Sequence, residues 1–345
     1  MNKTVRCLKL DNISNAKLTS AEIAALWIQY SNETASICIH KHMMEHLEDN
    51  DIKDAFEYAM SLSTNHIERI KEFLKSEGFP IPIGFTEEDY IRKVPRLYSD
   101  VFCLNYLNIM SLHGCHGYSG AITTSTRLDI RNYFTECLTS AAELCNRTKN
   151  LLLEKGLYYR PPVVNPPNSA SYIDDKSFLT GWFGEKRPLS CIEITDIYFN
   201  LKKSIFAKAF IISAYQVTKS NKIKNFLKKA VSKKEDHIKL FFEVLLSENL
   251  PSPPIFDAEI TDSTVSPFSD KLMMFQVGFL FSTAMVYYGT GWASSIRRDL
   301  TAKYMTAMAE DLKIGNDWIN IMIKNGWLEE PPMAEDRSKL ANTKK

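Results

Sequence analysis

Acidic and imidazole side chains at helical spacing are the residues of this chain best equipped for chemistry. Leu26, Tyr30, Glu33, Ile37, His40 and Met44 recur at steps of three and four, which sets Glu33 and His40 on one inward seam. His66 falls on the seam of the next apolar stripe, and Glu136 and Glu143 stand one heptad apart further along. Carboxylates and imidazoles converging inside a helical bundle can hold Fe, Mn or Zn. Glu33, His40, His66, Glu136 and Glu143 therefore form a candidate mononuclear metal set. A carboxylate-bridged di-metal centre would need Glu-x-x-His on two helices. The residues three before the histidines are Ile37, Ile39, Met43, Ser63, Met110, His113 and Lys234, so that motif is missing. The structural alternative leaves His66 and His237 buried and hydrogen-bonded, the acids at bundle edges, and no cofactor.

Other polar clusters point to packing or solvation. "HGCHG" (113–117) could chelate through His113, His116 and Cys115, but small residues there also permit close helix approach. His42 and His46 at i, i+4 could bind a surface metal, but Glu45 and Glu48 around them suggest a solvated, charged face. The lysine-rich stretch 219–237, with Lys228, Lys229, Lys233 and Lys234, could touch anionic lipid or nucleic acid but reads more simply as the solvated outer face of a helix. Neither G-x-G-x-x-G nor G-x-x-x-x-G-K occurs, and "GYSGA" lacks the spacing of a nucleophile elbow.

The elements that position these residues are written twice. Residue n aligns with n+171 without a gap from Leu18/Leu189 to Phe85/Phe256, and with n+170 from Ser99/Ser269 to Pro162/Pro332. Repetition at that period means duplicated domains. Each copy opens with a capping box, Thr19-x-x-Glu22 or Ser190-x-x-Glu193. A second apolar stripe (Ile52, Phe56, Ala59, His66, Ile70, Phe73) recurs as Ile223, Leu227, Ala230, His237, Phe241 and Val244. Pro80 and Pro251 are expected to stop that helix. Helices 3 and 4 cover about 97–123 and 126–155, and the fourth ends at Gly156 or Gly326. A helix of about 27 residues spans about 40 Å, and the roughly 20 residues joining helices 2 and 3 reach far enough to cross it. Short, long and short connections predict an all-α chain of two tandem ferritin-like four-helix bundles with a long crossover in each. The expected units are 1–156 and 189–332, joined by a Pro-rich linker at 157–188 and followed by a frayed polar tail at 333–345.

With 24% charged residues and a net charge of +1, no global field marks a nucleic-acid partner. Seven cysteines without C-x-x-C suit a reducing cytoplasm. The N-terminus has no apolar signal region. "LMMFQVGFLFSTAMVYY" (272–288) is uncharged but short of a span, so it is expected to be a buried bundle helix and not an integral membrane segment.

In their order, "LTSAEIAALW", "PIPIGFTEEDY", "STRLDIRNYFTECLTSAAEL", "DSTVSPFSDKLMMF" and "IMIKNGWLEEPP" give the chain a family likeness from about residue 16 to about 338. It resembles the tandem-copy members of the domain-of-unknown-function family numbered 3231 of endospore-forming bacteria. The resemblance implies ferritin-like bundles akin to spore-coat F proteins, without an established activity or catalytic residues. The expectation is a non-enzymatic structural or interaction protein, cytoplasmic or incorporated into spore layers, with protein partners or self-association. The first alternative is a metal-binding protein with one site in copy one, because copy two has Ser204, Ile211, Thr306 and Lys313 at the positions of Glu33, His40, Glu136 and Glu143. The second is apolar ligand or lipid binding in the aromatic-rich 272–304 region.

Overall fold

A computed structural model describes residues 16–181 and 186–342. Helix α1 (Ser20–His46) starts where the Thr19 hydroxyl accepts the Glu22 amide and the Glu22 carboxylate accepts the Thr19 amide. Ser190 and Glu193 repeat this at α5 (Cys191–Val217). The first half continues with α2 (Asn50–Ser76), α3 (Asp100–Thr124) and α4 (Leu128–Glu154), the second with α6 (Asn221–Ser247), α7 (Asp270–Ser294) and α8 (Arg298–Lys324).

The even-numbered helices all close in the same way. Amides of Phe79, Leu157, Leu250 and Trp327 reach back to carbonyls of Leu74, Leu152, Leu245 and Met322 at 2.7–2.9 Å. Gly78, Gly156, Asn249 and Gly326 supply the left-handed residue, with φ between 56° and 74°. The stop of α2 and α6 thus precedes Pro80 and Pro251. A positive-φ residue turns the chain before the prolines could act.

Side-chain contacts fix the topology. Asp100, at the start of α3, accepts the amides of Glu48 and Asp49 in the α1–α2 turn at 3.1 and 2.8 Å. Glu77, at the end of α2, pairs with Arg127 in the α3–α4 turn. Helices α2 and α3 therefore run parallel, and strap 77–99 travels the length of the bundle. Thr218 with Asp270 and Glu248 with Arg297 repeat both ends in the second half. Each half is a four-helix bundle with one long crossover, as expected.

Glu22 accounts for why Arg127 and Asp129 recur as Arg297 and Asp299. Besides capping α1, it accepts the amides of Thr126 and Arg127, both at 2.8 Å. Arg127 in turn binds the Ala16 carbonyl, Glu77 and Asp129. Arg297 repeats this corner with the Arg187 carbonyl, Glu248, Asp299 and, through its amide, Glu193. Three chain segments are tied together at one end of each bundle.

The two bundles meet in a seam with approximate two-fold symmetry. Strap residues pair antiparallel as Tyr90 with Phe268 and Tyr98 with Ile260, positions that exchange under the repeat. The Ser99 amide donates to the Glu259 carbonyl and the Ser269 amide to that of Asp89, each at 3.0 Å. Tyr98 and Phe102 stack at 4.6 Å, and Phe102 continues onto Phe206 at 5.0 Å, so one apolar core runs through both halves. This explains a compositional difference between helices. α2, α4, α6 and α8 are amphipathic, whereas α1, α3, α5 and α7 carry no separate polar face. The second group packs on its own bundle and on the seam.

Residues 159–177 are largely exposed. The linker docks at Gly181, where a Cβ would come 2.8 Å from the Asp299 amide nitrogen. The polar tail is not wholly irregular: α9 (Arg337–Asn342) forms where Asp336 accepts the amides of Ser338 and Lys339. Among the described residues α7 alone is long and apolar enough to cross a membrane, and 56% of its most apolar window is buried inside the fold.

Candidate functional site

The middle of the first bundle is built around Glu33. Its Oε1 accepts from His66 Nδ1 at 2.7 Å, Tyr118 Oη at 2.8 Å and Gln29 Nε2 at 3.3 Å, and its Oε2 accepts from Ser63 Oγ at 2.7 Å. Four donors meet a carboxylate with about four lone-pair sites. Gln29 is held in turn by Tyr133 Oη at 3.0 Å. Burial opposes the Glu33 charge, but hydrogen bonds from His66, Ser63 and Tyr118 and the His66 charge outweigh it and draw the acid down to about 2. Burial likewise opposes the His66 charge, yet hydrogen bonds with Cys137 and Glu33 and the Glu33 charge raise it to about 10. The pair is an imidazolium–carboxylate at neutral pH.

The remaining members of the metal set lie elsewhere. His40 is buried two turns along α1, edge-on to Phe56 and Tyr106, with both ring nitrogens unpartnered. Burial lowers it to about 4. Glu136 and Glu143 stand outside, their side chains 70% and 49% exposed, with Arg69 near the first and Arg147 and Tyr58 on the second. The inward seam of α4 is Tyr133, Cys137, Ala141 and Leu144. Both glutamates lie one residue out of its phase, about 100° around the helix. The structure thus brings Glu33 and His66 together and leaves the two α4 acids in solvent.

The second bundle fills the same space with a transposed set. His237, at the His66 position, has Nε2 3.1 Å from Glu310 and Nδ1 3.2 Å from Tyr288 Oη, which is 2.9 Å from Ser204 Oγ. Nε2–H donates to Glu310, so Nδ1 accepts from Tyr288. Lys234, at the Ser63 position, reaches Asp311 at 2.9 Å, and neither side chain has any exposure. Burial draws Lys234 down and Asp311 up, each opposed by its partner. Burial and the Lys234 charge hold His237 down to about 3. The basic partner of the buried acid is thus the histidine in one bundle and the lysine in the other.

Three sequence expectations change here. Lys234 belongs to the core, not to a solvated lysine face, because Asp311 on α8 meets it there. His42 is 1% exposed against Phe268 and Tyr98, so it does not belong to a charged surface. "HGCHG" serves the seam between bundles: His113 Nδ1 lies 2.9 Å from Tyr287 Oη, and the His116 ring packs edge-on to the same tyrosine. The close-approach reading holds for Gly114, where a Cβ would meet Ala141 at 3.4 Å, but Gly117 faces open space. Lys203, which the sequence did not single out, is buried over the Tyr287 ring at 3.0 Å without a hydrogen-bond partner. Two cavities, one beside Ser204 and Lys234 and one beside Lys202 and Phe256, each hold about 10 Å³, room for about one water.

Fold and centres together define a duplicated all-helical protein whose two bundles share a core. The chain belongs to the family described as "Protein of unknown function (DUF3231)", whose model matches residues 10–169 and again 177–340. No curated protein matches. A solved structure described as a "putative spore coat protein" from Bacillus halodurans C-125 is similar over 45% of this chain and 100% of its own, at 19% identity and a TM-score of 0.42.

Proposed function

We propose that this chain is a non-enzymatic structural and interaction protein of the spore outer layers. One observation carries the non-enzymatic reading: the polar groups at both centres are taken up by the protein's own partners, four donors on Glu33 and Lys234 on the fully buried Asp311. A reactive acid or base needs a free lone pair or proton facing a substrate. The spore setting is what the family resemblance implies. Fractionation of spores from a sporulating host expressing the tagged chain tests it. The protein is expected in the outer-layer extract; its confinement to the mother-cell lysate, or turnover of Fe(II) by the purified chain, would overturn the reading.

A second reading, one Fe, Mn or Zn ion in the first bundle, is favoured by the two unpartnered nitrogens of buried His40. It requires metal content that disappears in His66→Ala.

A further inference from the structure

We propose that His42, Glu45 and His46, at the C-terminal end of α1, form a binding site for one divalent transition-metal ion of the zinc class. One ring nitrogen of each histidine and a carboxylate oxygen of Glu45 lie within 4.8 Å of one another. Histidines at i and i+4 share a helix face. Donors about 2.0–2.1 Å from a tetrahedral zinc stand roughly 3.4 Å apart. Glu45 is exposed and His46 half-buried, so side-chain rotation closes the remaining gap.

A second observation sets this cluster apart from an ordinary surface pair. His42 Nδ1 and His46 Nε2 are both buried without a hydrogen-bond partner. The repeat shows what the fold otherwise does here. Ser213, the counterpart of His42, bonds Tyr98 of the opposite strap at 2.9 Å. Across the pseudo-two-fold axis the tyrosine has become Phe268, whose ring packs edge-on to His42 at 5.5 Å and offers it nothing polar. Gln216 and Val217 replace Glu45 and His46 in copy two, and Gln216 donates to the Thr261 and Ser263 carbonyls. Copy one has thus exchanged a closed hydrogen-bonded corner for two imidazoles with open lone pairs beside a carboxylate. The arrangement suits a metal of borderline softness, leaves a fourth position to solvent, and lies at the helix end whose dipole favours a cation.

Calorimetric titration of chelator-treated full-length protein with Zn²⁺ tests the site, with Co²⁺ absorption as the probe of coordination. One equivalent is expected, with affinity falling about tenfold or more in His46→Ala and in Glu45→Gln; both side chains reach the surface, so the fold is retained. Sub-stoichiometric uptake, or affinity unchanged in His46→Ala, would overturn the assignment. Loss in His66→Ala with retention in His46→Ala would place the ion at the Glu33 centre and overturn it as well.

Discussion

Lys234→Ala is expected to destabilise the protein by roughly 3–5 kcal/mol, because it leaves Asp311 buried without its cation. Both side chains have zero exposure, and the lysine donates to both Asp311 oxygens, at 3.2 and 2.9 Å. Removing one member of such a pair costs far more than removing both. The double variant Lys234→Met/Asp311→Leu should therefore fall within about 1–2 kcal/mol of the parent. Urea unfolding of the three proteins measures the difference. A cost below about 1 kcal/mol for Lys234→Ala would mean that the lysine is solvated and not a core cation.

Glu33→Ala should cost a similar amount, roughly 3–5 kcal/mol, because it strands His66, Ser63, Tyr118 and Gln29 around a cavity. Its pH dependence is the more diagnostic feature. The folded pKa of Glu33 is depressed to about 2 from 4.5, so its contribution is present above 4.5 and fades as pH falls through about 2. That of His66 is raised to about 10 from 6.5, so its contribution is full below 6.5 and lost as pH rises through about 10. The stability gap between parent and Glu33→Gln should then be widest between about pH 4.5 and 6.5 and narrow on either side. A gap independent of pH would show that no charge pair exists there.

The duplication, the capping boxes and the strap were legible because each recurs at a fixed offset with a local job. Register inside the bundle was not. A heptad between Glu136 and Glu143 reports the period of a seam but not its phase, which Tyr133, Cys137, Ala141 and Leu144 set. Their counterparts Thr306 and Lys313 are also polar, a surface signal that the spacing argument passed over. Lys234 resembled its neighbours in a lysine run, and only the α8 residue opposite distinguishes it. His42 went astray for a related reason. The acids beside it face water, while the ring itself turns to the strap of the other half. The seam had a sequence signature too: α1, α3, α5 and α7 lack the polar face that an isolated bundle would give them.

Ring titration of ¹⁵N-histidine-labelled protein by NMR bears most directly on the claim that the two centres are closed charge networks with the cation transposed. His66 should remain imidazolium up to about pH 10, and His237 should remain neutral down to about pH 3 with the proton on Nε2. If either ring instead titrates near its ordinary value of about 6.5, that centre is open to water and the account of it fails.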